Sequence, residues 1–305
     1  MKKFALVLVL LLAGTAQAQR PAFAPEPYWM PTQTVRVDGI EVTYAEAGAG
    51  PALLLVHGWA GNINNWKEVI GPLSRDFRVL ALDLPGSGQS GCCPCQKYTT
   101  TYYADFLAKF LDALGIEKAS VLGNSMGGQV AAEFAIRHPD RTLKLILCDA
   151  AGAGGFPGVM KLAAVVINSR TVIPLIHLVF PVNEKNLAGV PESERRRVTL
   201  AEDRYTSDAR ACTGRALSAS MKSMAGRNLS DQLNRIQAPT LVLWGSNDDL
   251  LPVATADVFT EKIPGAKKVI IEGGVHTPMQ WKPNEFVDSV NSFLRENELE
   301  PDQGL

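Results

Sequence analysis

The stretch VLGNSMGG, residues 121–128, runs a short apolar segment into a serine flanked by glycines, and a helical pattern follows from Gln129 to His138. A Gly-rich turn between strand and helix serves tight packing, cradles a phosphate, or forms a sharp elbow that projects a nucleophile. A Walker-type cradle requires a lysine after its glycines, and here Gln129 and Val130 stand there instead. Gly123-Asn124-Ser125-Met126-Gly127 matches G-x-S-x-G in the strand-to-helix context that an elbow needs. The glycines have a mechanical reason, because side chains at 123 and 127 would collide with neighbouring backbone in so sharp a turn. Ser125 is therefore expected to stand exposed above the strand ends.

Outward from the elbow, the segments ALLLVHG (52–58), RVLALDL (78–84), KASVLGNS (118–125), LKLILCD (143–149), PTLVLWG (239–245) and KKVIIEG (267–273) alternate with helical patterns. Runs this short and apolar suit parallel strands covered by helices on both faces. TVRVDGIEVTYAEAG (34–48) alternates apolar and polar residues around Asp38-Gly39, which is a hairpin signal. The fold class is thus α/β, a mostly parallel sheet flanked by helices with an antiparallel hairpin at one edge.

The alternation fails between Gly152 and Ser230, where roughly 80 residues separate strand signals that short αβ connections would bring much closer. Residues 158–180 are strongly apolar and broken by Pro174; residues 192–224 read as polar helices with apolar faces. An α-helical cap over 152–230 is expected, inserted into a core of 35–151 and 231–296, with a short tail at 297–305. The run Arg195-Arg196-Arg197 reads as a solvated helix face.

The chain has 305 residues, 46% of them hydrophobic and 20% charged, enough for one large core and too apolar for disorder. Lys2-Lys3, the apolar run Phe4 to Ala13 and Ala16-Gln17-Ala18 read as a secretory signal peptide over 1–18, cleaved after Ala18. About ten apolar residues are too few for a bilayer span of about 20. A periplasmic or secreted protein with no integral span after cleavage is expected, led by a Pro-rich extended segment over 19–34. The formal net charge of −1 becomes more negative when the two lysines leave, and nothing favours nucleic acid.

Serine at its ordinary pKa needs a base, and the base needs an acid to orient it. In this strand-and-elbow architecture the order along the chain should be Ser, acid, His. LVLWGSNDDLLP (241–252) supplies Asp248 or Asp249 just past a strand, and IIEGGVHTPMQWKPNEF (270–286) supplies His276 in a loop. Both fall at carboxyl ends of strands, where open α/β sheets build their sites. His57 is read as shaping the turn before Gly58, His138 as suiting a helix C-terminus, and His177 as packing or touching substrate within the cap. Without H-e-x-x-h or paired Cys spacing, no metal site is expected.

Five pieces in order, HGWAGNINNW (57–66), LDLPGSGQS (82–90), GNSMGG (123–128), WGSNDDLLP (244–252) and HTPMQWKPNEF (276–286), make the chain resemble the α/β-hydrolase fold superfamily over nearly all of 35–296. The resemblance is nearest to serine esterases and monoacylglycerol-type lipases. It implies Ser125 as nucleophile, His276 as base and Asp248 as acid, since the family's acid stands three residues after the glycine and four before the proline. Asp149 is a rival, because some relatives keep their acid at that strand end. The resemblance places the oxyanion donors on the backbone amides of Trp59 and Met126. The glycine usually found before the histidine is Val275 here.

Relatives with Asp at the elbow are dehalogenases and epoxide hydrolases, which Ser125 argues against. The reading implied is ester hydrolysis through an acyl-enzyme without a cofactor, on a small ester with an apolar, medium-length acyl group. The alternatives are a carbon–carbon bond hydrolase with the same triad and a non-catalytic binding protein on the same scaffold. Cys92, Cys93 and Cys95 are not spaced as a redox C-x-x-C pair; in an exported chain a disulfide is expected, and Cys212 could reach their loop. Cys148 reads as a free buried thiol, and the connectivity stays open.

Overall fold

The computed structural model describes residues 28–93, 96–154 and 207–296. The expected signal peptide, most of the lead-in, the C-terminal tail and the cap segment 155–206, with His177 and the arginine run, lie outside the described residues. Among the described residues eight strands form one sheet: β1 (Gln33–Val37), β2 (Ile40–Ala47), β3 (Ala52–Val56), β4 (Arg78–Leu82), β5 (Ala119–Asn124), β6 (Thr142–Cys148), β7 (Thr240–Gly245) and β8 (Lys267–Ile271). Their order is β1-β2-β4-β3-β5-β6-β7-β8. β1 pairs antiparallel with β2 and β2 with β4, whereas every other pairing is parallel. Asp38 and Gly39, at φ 50° and 79°, close the hairpin in the left-handed region that a two-residue turn demands.

Period-two alternation divides the strand side chains between two cores. Leu54, Val56 and Val121 face one layer, with helices α2 (Thr100–Ala113), α3 (Met126–Arg137), α4 (Ser207–Gly226) and α5 (Ala254–Lys262). Leu53, Leu55 and Leu122 face the other, with α1 (Lys67–Leu73), α6 (Pro278–Trp281) and α7 (Pro283–Arg295). These six strand residues are inaccessible to solvent, and each such side chain contributes about 1.5–3 kcal/mol by leaving water. Burial on both faces explains why the runs are continuously apolar rather than alternating. Among the described residues no helix is long and apolar enough to cross a membrane.

The order reverses at β3, whose chain successor β4 lies on one side and β5 on the other. Such a switch point opens a crevice at the carboxyl ends of the strands. The loop after β3 and the turn after β5 meet there. A Cβ on Gly127 would sit 2.1 Å from the Val56 carbonyl oxygen and 2.6 Å from that of His57. One on Gly123 would sit 2.1 Å from the Gly127 carbonyl oxygen. α3 therefore starts in direct backbone contact with the end of β3.

Because backbone rather than a flexible side chain blocks the space, Gly127→Ala is expected to destabilise the fold by about 3 kcal/mol or more, at the upper end of overpacking costs. Urea denaturation checks this; a loss below about 1 kcal/mol would mean that the contact relaxes freely.

Candidate active site

Ser125 occupies the turn between β5 and α3 with φ 56° and ψ −117°, a conformation that costs a non-glycine residue of order 1–3 kcal/mol. Its amide donates to the Cys148 carbonyl, while its own carbonyl accepts from Gly128, Gln129 and Ala151. These bonds hold the strained turn from both sides. Ser125 is only 9% exposed, contrary to the sequence expectation of an exposed serine. The loop after β3 closes over it: a Cβ on Gly58 would lie 3.2 Å from the Ser125 Cβ.

The two amides that the resemblance assigned to an oxyanion belong to the residue after Ser125 and the residue after Gly58. Met126 opens α3, where an amide has no intrahelical partner, and Trp59 follows Gly58. Among the described residues neither amide meets an acceptor. The Trp59 indole is occupied elsewhere, donating to the Leu217 carbonyl of α4 at 2.9 Å. It latches the loop to that helix.

His57 shapes the loop. The Leu84 amide donates to its Nε2 at 3.1 Å, so the proton sits on Nδ1, which donates to the Gly58 carbonyl at 2.8 Å. Burial lowers its pKa to about 4, against the raising effect of the Gly58 bond. Neighbouring Asp83, raised to about 6 by burial, accepts from the amides of Ile63 and Gln89 and from the Tyr28 hydroxyl. Neither residue is aimed at the crevice; both fix loops.

Asp248 follows β7 and His276 follows β8. The His276 Nδ1 donates to Asp248 Oδ2 at 2.8 Å, which leaves Nε2 as the basic nitrogen. The other Asp248 oxygen accepts the Leu250 and Leu251 amides at 2.8 and 2.9 Å. Asp249 enters none of these bonds. Asn124, the residue before Ser125, donates to the His276 carbonyl at 3.0 Å and to the Cys148 carbonyl at 3.3 Å. This side chain, which the sequence reading passed over, ties the histidine loop to the elbow; a polar residue at the end of an apolar strand was its only signal. Asp149 does not touch the imidazole through a hydrogen bond, although its carboxyl, that of Asp248 and the His276 ring place one atom each within 4.8 Å of one another.

Cys92, in the loop after β4, is disulfide-bonded to Cys212 on α4, 120 residues away; Cys93 is disulfide-bonded too, and Cys148 is free and buried. Arg227, just past α4, pairs with the buried Glu133 of α3 at 2.9 Å. α4 is thus fastened to the core at both ends.

A family model described as the alpha/beta hydrolase fold matches residues 51–168. The chain is 33% identical over 273 residues to the dihydrolipoyllysine-residue acetyltransferase component of an acetoin cleaving system from Cupriavidus necator, covering 87% of this chain and 68% of that protein. It is 29% identical to the 2-hydroxy-6-oxo-6-(2'-aminophenyl)hexa-2,4-dienoic acid hydrolase of Metapseudomonas resinovorans, covering 85% of this chain and 89% of that one. A bacterial membrane phospholipase A structure superposes with a TM-score of 0.67 at 30% identity, over 88% of this chain and 87% of that one. The chain belongs to the α/β-hydrolase fold family, and it is a hydrolase by that membership.

A histidine with a depressed pKa binds protons more readily unfolded than folded, so its contribution is present above about 6.5 and is lost as pH falls toward about 4. The stability gap between wild type and His57→Gln should therefore narrow by up to about 3 kcal/mol across that window. Chemical denaturation at a series of pH values reads the gap; a constant gap would mean that His57 is not held neutral.

Proposed function

We propose that the protein is a serine hydrolase of carboxylic esters, acting through Ser125, His276 and Asp248 and an acyl-enzyme. The observation that carries this reading is the Asp248–His276 hydrogen bond, hung from the elbow by Asn124. Ser125 Oγ attacks the ester carbonyl carbon while His276 Nε2 takes its proton. The negative oxygen that forms faces the amides of Trp59 and Met126, donors of the kind worth about 10²–10³ in rate each. Collapse breaks the bond to the alkoxy group, which leaves with the proton from His276. Water then adds to the acyl-enzyme with His276 again as base, releasing the acid and restoring Ser125.

The substrate we favour has an apolar, medium-length acyl chain, drawn under the segment over 152–230 that the sequence marks as a cap. Similarity to a phospholipase A supports an acyl ester. Export is part of the same reading: the Cys92–Cys212 disulfide suits an oxidising compartment. A second reading, carbon–carbon bond hydrolysis, draws on the similarity to the hexadienoic acid hydrolase and uses the same three residues.

Purified protein lacking residues 1–18 should be assayed on p-nitrophenyl esters from acetate to palmitate and on a vinylogous 1,5-diketone acid. The specificity constant is expected to rise roughly fourfold per methylene, at about 0.8 kcal/mol each, to a maximum near eight carbons, with little action on the diketone. Ser125→Ala should fold and lose on the order of 10⁶ in turnover. A flat chain-length profile would reject an acyl-binding cap, preference for the diketone would favour the second reading, and an active Ser125→Ala would end both.

A further inference from the structure

Asp149 stands at the end of β6 with no access to solvent, and the mechanism above does not use it. Its surroundings are unusual for a carboxyl group. Asp248 faces it from the loop after β7, His276 from the loop after β8, and the Cys148 thiol from its own strand. Among the described residues no lysine or arginine acts on Asp149.

Two carboxylates this close and this buried do not both ionise at neutral pH; one keeps a proton and the pair shares it. The hydrogen bonds decide which. Asp248 accepts three N–H groups, from Leu250, Leu251 and His276, and each stabilises an anion. Asp149 accepts one amide, Gly245 at 3.0 Å, and one weak thiol donor, Cys148 at 3.2 Å. The proton belongs on Asp149.

We propose that Asp149 is a positioning residue for the triad: a neutral carboxylic acid that donates its hydrogen bond to Asp248 and keeps Asp248 an anion facing His276. The inference rests on the triad reading given above. Burial, and secondarily the charge and hydrogen bond of Asp248, push the Asp149 pKa well above the usual carboxylate range, against the lowering effect of the Gly245 amide. The donated bond fixes the orientation of the Asp248 carboxylate against the His276 ring, so the imidazolium formed when His276 takes the serine proton faces an anion held in place. The Asp149 backbone has φ 43°, a conformation that Asp and Asn tolerate and glycine adopts freely. Asp149→Asn and Asp149→Gly are therefore the substitutions that leave the turn in place.

Asp149→Asn keeps a donor for Asp248 and an acceptor for Gly245 but cannot ionise. Its turnover on a p-nitrophenyl ester at neutral pH should fall less than about fivefold, with KM unchanged, whereas Asp149→Gly should lose about 30-fold in turnover, the value of a hydrogen bond to a charged group. The alkaline fall in wild-type turnover, where Asp149 ionises beside Asp248, should be absent in Asp149→Asn. A wild-type minus Asp149→Asn infrared difference spectrum at neutral pH should contain the carbonyl band of a protonated carboxylic acid. That band is read without substrate, so it judges Asp149 even if ester hydrolysis fails. Its absence, or an unchanged alkaline limb in Asp149→Asn, would overturn the proposal. So would a loss of about 10⁴ in Asp149→Asn, the signature of a triad acid.

Discussion

The turn at Ser125 is the constraint on which the rest of the site depends. A serine held at φ 56° and ψ −117° persists only where its surroundings over-determine it. Here the surroundings are backbone: the Ser125 amide and carbonyl are tied to β6 and α3, and the glycines at 123 and 127 let three chain segments approach to distances that any Cβ would forbid. The close approach brings the end of β3 against the start of α3, and Gly58 against Ser125.

The second tier of organisation is polar and buried. Asn124 reaches from the elbow to the His276 carbonyl, and Asp149 connects the end of β6 to the Gly245 amide and to Asp248. The ends of β5, β6, β7 and β8, adjacent in the sheet, are thereby joined by buried side chains. Such a network orders a site only when every member is satisfied, because an unpartnered buried polar group would cost about 1–3 kcal/mol. The proton on Asp149 is what completes it.

The strands and their layering were legible in the sequence because burial on both faces writes continuous apolar runs; β3, β4, β5, β7 and β8 lie inside the segments those runs marked, and β6 starts one residue earlier, at Thr142. Asp248 and His276 were legible as an order of residue types at strand ends, and the spacing that singled out Asp248 over Asp249 agrees with the bond to His276. Other features depend on distances between remote segments and leave no local pattern. The Asn124–His276 bond spans 152 positions, and the Trp59–Leu217 latch spans 158. The sequence set Cys212 within reach of the loop at 92–95 but left open which of its cysteines would pair, and Cys92 is the one that does. The burial of Ser125 also escaped the sequence, because the close approach of Gly58 to the turn is a contact between remote segments.

The central claim is that one serine, activated by His276, is the nucleophile. Active-site labelling with a fluorophosphonate, followed by peptide mass spectrometry, tests it without knowledge of the natural substrate. A single phosphonyl adduct on Ser125, formed rapidly in the native protein and slowed by orders of magnitude in His276→Ala, is the result the account predicts. An adduct on another residue, or labelling of Ser125 at the same rate when His276 is absent, would contradict it.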